Sequence, residues 1–294
     1  MIWRQTNCAE VKIKMIFYVV LLLVLLIAFS NNEASQPSPI LSSFPHAIMS
    51  SSHILLAERE QYDRSYTTQF RTIRPASYTI LNQYPLASVD QGPWASCTAF
   101  AVRYALLLWQ KTRDLSISDP SVAYWYAKAR MDYFKTTTLQ DTGTTLSSLV
   151  NSLNTWGILE SSAWSYSAQN VFLVPPRSLD ANLPKFSNFQ RLTRKMSVAL
   201  QIEDLKSHIS QNRAIVCSFL VYSNGMTSAV LRSGEFPMPK GSVRGGHAVC
   251  IVGYDETNFL ILNSWGPYTG TNGLFKIPAT YIANSKFAGE WFAF

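Results

Sequence analysis

Apolar residues in this chain gather into long unbroken runs in its first half and short β-branched runs in its second. Thr98–Trp109 is almost wholly apolar and has neither glycine nor proline, which predicts a buried helix whose first residue is Cys97. Val122–Phe134 repeats aromatic and aliphatic residues at helical spacing. Ser118-Asp119-Pro120 is its start signal, an acidic cap before a proline in the first turn. A third helix is expected over Thr145–Trp156, ended by Gly157 just past its C-terminus, and a fourth over Gln201–Gln211. From about Phe186 the character changes. Ala214–Tyr222, Ala248–Tyr254 opened by His247, and Leu260–Leu262 closed by Asn263 read as strands between glycine and proline turns. Helices first and strands later predict an α+β fold of two lobes, about 90–185 and about 186–294.

One further run stands apart. Met15–Phe29 is continuously apolar, preceded by Arg4, Lys12 and Lys14 and followed by Ser30-Asn31-Asn32-Glu33. It is shorter than the roughly 20 residues of a comfortable membrane span and matches the apolar region of a secretory signal, with Ala28-x-Ser30 fitting a cleavage site. The residues ahead of it are many for a signal, so a cleaved signal and a retained anchor both remain open. A retained anchor leaves Lys12 and Lys14 in the cytosol and the rest of the chain in a lumen or outside. The organisation expected is therefore a signal or anchor over 1–34, a Ser- and Pro-rich linker or short prosegment over 35–75, and one domain over 76–294.

Composition adds limits. The 294 residues allow an ample core, and the net charge of +7 comes from Lys and Arg that form no basic run, which argues against nucleic acid as a partner. The four cysteines are Cys8, Cys97, Cys217 and Cys250. The last two lie inside apolar strands and read as buried free thiols, with a disulfide as the alternative. No Asn-x-Ser/Thr sequon is present.

Cys97 carries the candidate chemistry. At the first position of a helix, unbonded amides and the positive end of the helix dipole favour a thiolate. His247 and Asn263 follow about 150 residues downstream, and a helix start, a strand start and a strand end meet only across a cleft.

Gln91-Gly92-x-x-x-Ser96-Cys97-x-Ala99-Phe100, Gly246-His247-Ala248-Val249 with Val252-Gly253-Tyr254, Asn263-Ser264-Trp265-Gly266 and Asn272-Gly273-x-Phe275 together resemble the papain-like cysteine peptidases, over roughly Val89–Phe294. The resemblance implies a papain-like fold, with a helical lobe, a β-barrel-like lobe and the site between them. It also implies a monomeric endopeptidase acting on polypeptide without cofactor or metal. Cys97 is then the nucleophile, His247 its acid–base partner, Asn263 the residue that orients the imidazole and Gln91 the side-chain donor to the oxyanion. Gly143 takes the place of the glycine that meets the substrate backbone, although the usual double glycine is absent. Trp265 resembles the indole that shields the His–Asn hydrogen bond. Two positions depart from the lysosomal pattern. Trp94 stands where those enzymes have a disulfide cysteine, and Thr98 follows the nucleophile in place of Trp, as in the branch met in bacteria and large DNA viruses.

Two other readings compete. A papain-fold binding module without activity would lose its nucleophile or histidine first, and both are here. A transglutaminase-like Cys/His/Asp site would need Asp255, which ends the His247 strand. His46, His53 and His208 read as structural or solvated.

Overall fold

The computed structural model describes residues 74–116, 118–135, 139–192 and 196–294. Met15–Phe29, Cys8, His46, His53 and the linker up to residue 73 lie outside them.

Helix α1, Cys97–Lys111, begins at the expected residue and is buried along most of its length. Its exposed side carries Arg103, paired with Asp119 at 2.7 Å. Helix α2, Val122–Phe134, starts two residues later than its signal. Ser121, not Asp119, caps it, its hydroxyl accepting the Tyr124 N–H at 3.1 Å. Asp119 instead binds Arg103 and Ser161, and Pro120 bridges to Glu160. Helix α3, Leu146–Thr155, is capped by the Thr145 hydroxyl. Gly157 follows it at φ +90°, where an added Cβ would lie 2.8 Å from Leu183 Cβ, so only glycine fits this helix end. Lys128 on α2 is buried because its ammonium pairs with Asp180 at 2.7 Å and sits 4.0 Å over the Trp156 ring.

Helix α4, Val198–Ser210, caps on Ser197 and reaches three residues further back than its apolar pattern suggested. Short helices α5, Ser228–Ser233, and α6, Ala279–Ile282, gave no sequence signal. The strands are β1 Tyr78–Thr79, β2 Gln190–Arg191, β3 Ile215–Tyr222, β4 Val243–Tyr254, β5 Asn258–Leu262, β6 Leu274–Pro278 and β7 Ala288–Ala293. They form one antiparallel sheet in the order β2-β7-β3-β4-β5-β6, with β1 also on β4. The first described strand thus belongs to the sheet built mainly by the last third of the chain.

Strand β4 starts at Val243, so His247 is interior to the strand and does not open it. Gly245 and Gly246, read as a strand boundary, pair with Val221 and Leu220 of β3. A partner strand supplies the hydrogen bonds there, and that overrides the weak propensity of glycine. The same register answers the cysteine question. Cys250 pairs with Val216 and Cys217 with Val249, so side-chain alternation puts the two thiols on opposite faces of the sheet. Both are free and buried.

Helix α1 packs on β3 and β4 on one side and on α2 and α3 on the other. Its N-terminus therefore lies where the helical group meets the sheet. No helix among the described residues is long and apolar enough to cross a membrane.

Candidate active site

Ser96 precedes α1 at φ −93° and ψ 13° and does not cap it. Its hydroxyl bonds the Tyr166 hydroxyl at 2.6 Å. Ala99 N–H donates to the Ser96 carbonyl at 2.9 Å, while the amides of Cys97 and Thr98 have no helical acceptor and lie against the Cys97 sulfur.

Segment 88–91 is laced along 263–266. Gln91 N–H donates to the Ser264 carbonyl at 2.8 Å, Gly266 N–H to Val89 at 3.2 Å, and the Ser88 hydroxyl to the Asn263 carbonyl at 2.6 Å. Gly273 makes room for this, since a Cβ there would lie 2.1 Å from Ser88 Cβ. The Gln91 side chain is fixed at both ends. Its Nε2 donates to Trp94 O at 2.7 Å and its Oε1 accepts the Ser264 hydroxyl at 2.6 Å.

His247 and Asn263 are brought together. His247 Nε2 lies 2.8 Å from Asn263 Oδ1, which also accepts the Ser264 backbone N–H at 2.8 Å. Because that N–H can only donate, the amide oxygen faces the ring and Nε2 carries the proton. His247 Nδ1 is then a bare lone pair, buried and without a hydrogen-bond partner. Trp265 stacks on the imidazole at 4.7 Å and 23°, and Phe219 meets it edge-on at 5.9 Å.

The Cys97 thiol reaches the same strand, within hydrogen-bonding range of the backbone of Ala248. Cys97, His247, Asn263 and Gln91 all have 0% exposure. Burial pushes the Cys97 thiol up to about 12, against the amides of Ala248, Thr98 and Cys97, which pull it down; the charge of Asp141 pushes the same way as burial. Burial also lowers His247 to about 4, with the Asn263 hydrogen bond opposing. Burial thus works against both charged forms here, the thiolate and the imidazolium, while the amides at the start of α1 and the Asn263 hydrogen bond work for them. A cavity of about 580 Å³ lies instead beside the far half of α1, against Leu106, Trp109 and Phe186, away from Cys97.

Gly143 is buried at φ +71° between α2 and α3, but its N–H donates inward to the Tyr126 hydroxyl at 3.0 Å. Asp255 closes the β4–β5 turn, accepting from Thr257 N–H and Asn258 N–H, and is not the partner of His247. Tyr126, Asp141 and Tyr166 touch the site from elements far away in sequence, and no local pattern marks them. No group of three or more His, Cys, Asp and Glu side chains among the described residues is placed to hold a metal ion.

A profile of the papain family cysteine proteases matches residues 140–290, which include His247 and Asn263. An uncharacterized peptidase C1-like protein of Acanthamoeba polyphaga mimivirus is 30% identical over 215 residues, 70% of this chain and 68% of that one. The chain belongs to the papain family of cysteine proteases. A cathepsin B-like protein of Giardia intestinalis is 32% identical over 92 residues, 30% of each chain. Among solved structures, xylellain, a cysteine protease from Xylella fastidiosa, superposes with a TM-score of 0.66 at 23% identity, covering 84% of this chain and 96% of that one. Procathepsin B from Trypanosoma congolense gives 0.62 at 15% identity, over 87% and 88%. The papain-like fold and the α+β class follow.

Proposed function

We propose that this papain-family protein hydrolyses peptide bonds, with Cys97 as nucleophile, His247 as general acid–base, Asn263 as its orienting partner and Gln91 with the Cys97 N–H as oxyanion donors. The observation that carries the reading is the Asn263 amide, whose two accepted hydrogen bonds leave the lone pair of His247 on Nδ1, the nitrogen without a partner. That lone pair is the base a cysteine nucleophile needs.

In the reaction the Cys97 proton passes to Nδ1, and the Cys97 amide at the helix start favours the thiolate that remains. The thiolate attacks the carbonyl carbon, and the oxygen becomes an oxyanion facing the Cys97 N–H and Gln91 Nε2. Nδ1 gives its proton to the leaving nitrogen as the C–N bond breaks, leaving a thioester on Cys97. Water, deprotonated by Nδ1, attacks the thioester; the acid product leaves and the thiol re-forms. Trp265 keeps water from the His–Asn bond. Gly143 offers the substrate its carbonyl, because its N–H is spent on Tyr126. Endopeptidase action by a monomer, and delivery across a membrane by Met15–Phe29, complete the reading.

The test is labelling of the full chain with an epoxide probe for papain-like thiols, before and after limited proteolysis, beside Cys97→Ala and His247→Ala. Labelling of the wild type that both variants lose is the expected result. A folded wild type unlabelled under both conditions overturns the peptidase reading in favour of an inactive binding module.

A further inference from the structure

We infer that Asp141 is a positioning residue of this active site, its carboxylate clasping the segment that presents the nucleophile to the loop that carries Gly143. The inference rests on Cys97 being the nucleophile, as proposed above. Ala95, two residues before Cys97, donates its N–H to both carboxylate oxygens, at 3.0 and 3.2 Å. The Tyr126 hydroxyl donates to Asp141 Oδ1 at 2.7 Å and accepts the Gly143 N–H at 3.0 Å. The direction of every bond in this chain is fixed, because backbone N–H groups only donate and the phenol has a single proton. Ala95, Asp141, Tyr126 and Gly143 therefore form one continuous strap across the site.

The strap is anchored on a rigid element. Tyr126 is fully buried on α2, with the Arg130 guanidinium 3.7 Å over its ring. Arg130 is itself held by the carbonyls of Tyr126 at 3.0 Å, of Gln140 at 2.5 Å, and of Val171. Its charge balances the carboxylate. No covalent tie does this work. Trp94 stands three residues before the nucleophile, and Cys97, Cys217 and Cys250 are free.

The segment that Asp141 grips holds both proposed oxyanion donors, since Gln91 Nε2 is pinned to Trp94 O and the Cys97 N–H follows two residues after Ala95. Releasing Ala95 lets those donors drift relative to the substrate on Gly143, and a misplacement near 1 Å costs about 100-fold in rate. A second signature separates this role from packing alone. Tyr126, Arg130, Tyr166 and Cys97 share their electrostatic environment with Asp141, and the carboxylate charge opposes ionisation of Cys97. Removing the charge makes the thiol easier to ionise while turnover falls.

The full chain is compared with Asp141→Ala, Asp141→Asn and Tyr126→Phe for peptide turnover, for the pH dependence of Cys97 alkylation, and for hydrogen exchange at the Ala95 and Gly143 amides. Asp141→Ala is expected to lose about 100-fold in kcat/KM, mostly in kcat, with the thiol titrating at lower pH and both amides exchanging faster. Asp141→Asn falls between it and the wild type, and carries the test if the alanine variant does not fold. Turnover within threefold of wild type, or an unmoved thiol titration, overturns the inference. If the wild type itself neither turns over peptide nor labels, the peptidase reading fails. Exchange then decides the clasp: faster exchange at Ala95 and Gly143 in the variants supports it, and unchanged protection ends it.

Discussion

Asn263 Oδ1 accepts two hydrogen bonds of 2.8 Å, one from the Ser264 backbone N–H and one from His247 Nε2. The backbone thus sets the amide orientation, the amide sets the imidazole tautomer, and the tautomer leaves Nδ1 basic. Trp265, stacked on the ring, and Phe219, edge-on to it, pack against the imidazole in that arrangement.

Asn263→Ala leaves Ser264 N–H and His247 Nε2–H without an acceptor and frees the ring to turn. A loss of about 100-fold in kcat with little change in KM is expected. Asn263→Asp keeps the acceptor and adds a negative charge beside the ring, which favours the imidazolium. The alkaline limb of its kcat/KM profile, where the imidazolium loses its proton, should move to higher pH. Steady-state kinetics across pH check both, and an Asn263→Ala variant within threefold of wild type would sink the orienting role.

Stability should rise with pH through the mildly acidic range. Burial lowers both His247 and His208 to about 4 and raises Asp204 to about 6. Between about pH 4 and 6 the unfolded chain holds protons on both imidazoles that the fold refuses, while the fold keeps one on Asp204 that the unfolded chain has released. The unfolded state therefore binds about one proton more, and stability climbs by about 1.4 kcal/mol per pH unit. Above about pH 8.5 the sign reverses. Cys97, raised to about 12, and the still higher Cys217 and Cys250 stay neutral in the fold but ionise when unfolded. Urea midpoints from pH 4.5 to 9.5 test the profile. His208→Gln should flatten its acid limb, and a midpoint that falls from pH 4.5 to 6 contradicts the assignment.

The parts of this fold legible in the sequence are those whose signal is local. The start of α1 at Cys97, the Thr145 and Gly157 ends of α3 and the run of β3 each depend on a residue type within a few positions. The start of β4 was misplaced because its glycines are in strand geometry only through their β3 partners. Among the candidate site residues, Cys97, His247, Asn263 and Gln91 were marked by their motifs. Asp141 and Tyr166 were not, since their contacts exist only once loops far apart in sequence are packed together. The burial of the site was also hidden: the helix terminus favours a thiolate, but the desolvation that opposes it is a property of the whole fold.

Glu290 offers a test of how the sheet and the helical group are joined. It lies on β7 at φ +55°, only 3% exposed, and its carboxylate accepts Leu146 N–H and Ser147 N–H at 3.1 Å each and the Ser147 hydroxyl at 2.6 Å. A strand carboxylate thus satisfies the first amides of α3, where negative charge is favoured. Glu290→Ala leaves those donors buried and unpaired, and a loss of about 3 kcal/mol is expected from the urea midpoint. Glu290→Gln keeps one acceptor but not the charge and should lose about half as much. Glu290→Gly removes the same contacts as alanine yet relieves the left-handed backbone, so it should be more stable than Glu290→Ala by about 1 kcal/mol. A glycine variant less stable than the alanine one would mean that the positive φ is not a cost, and that the carboxylate alone keeps β7 in this shape.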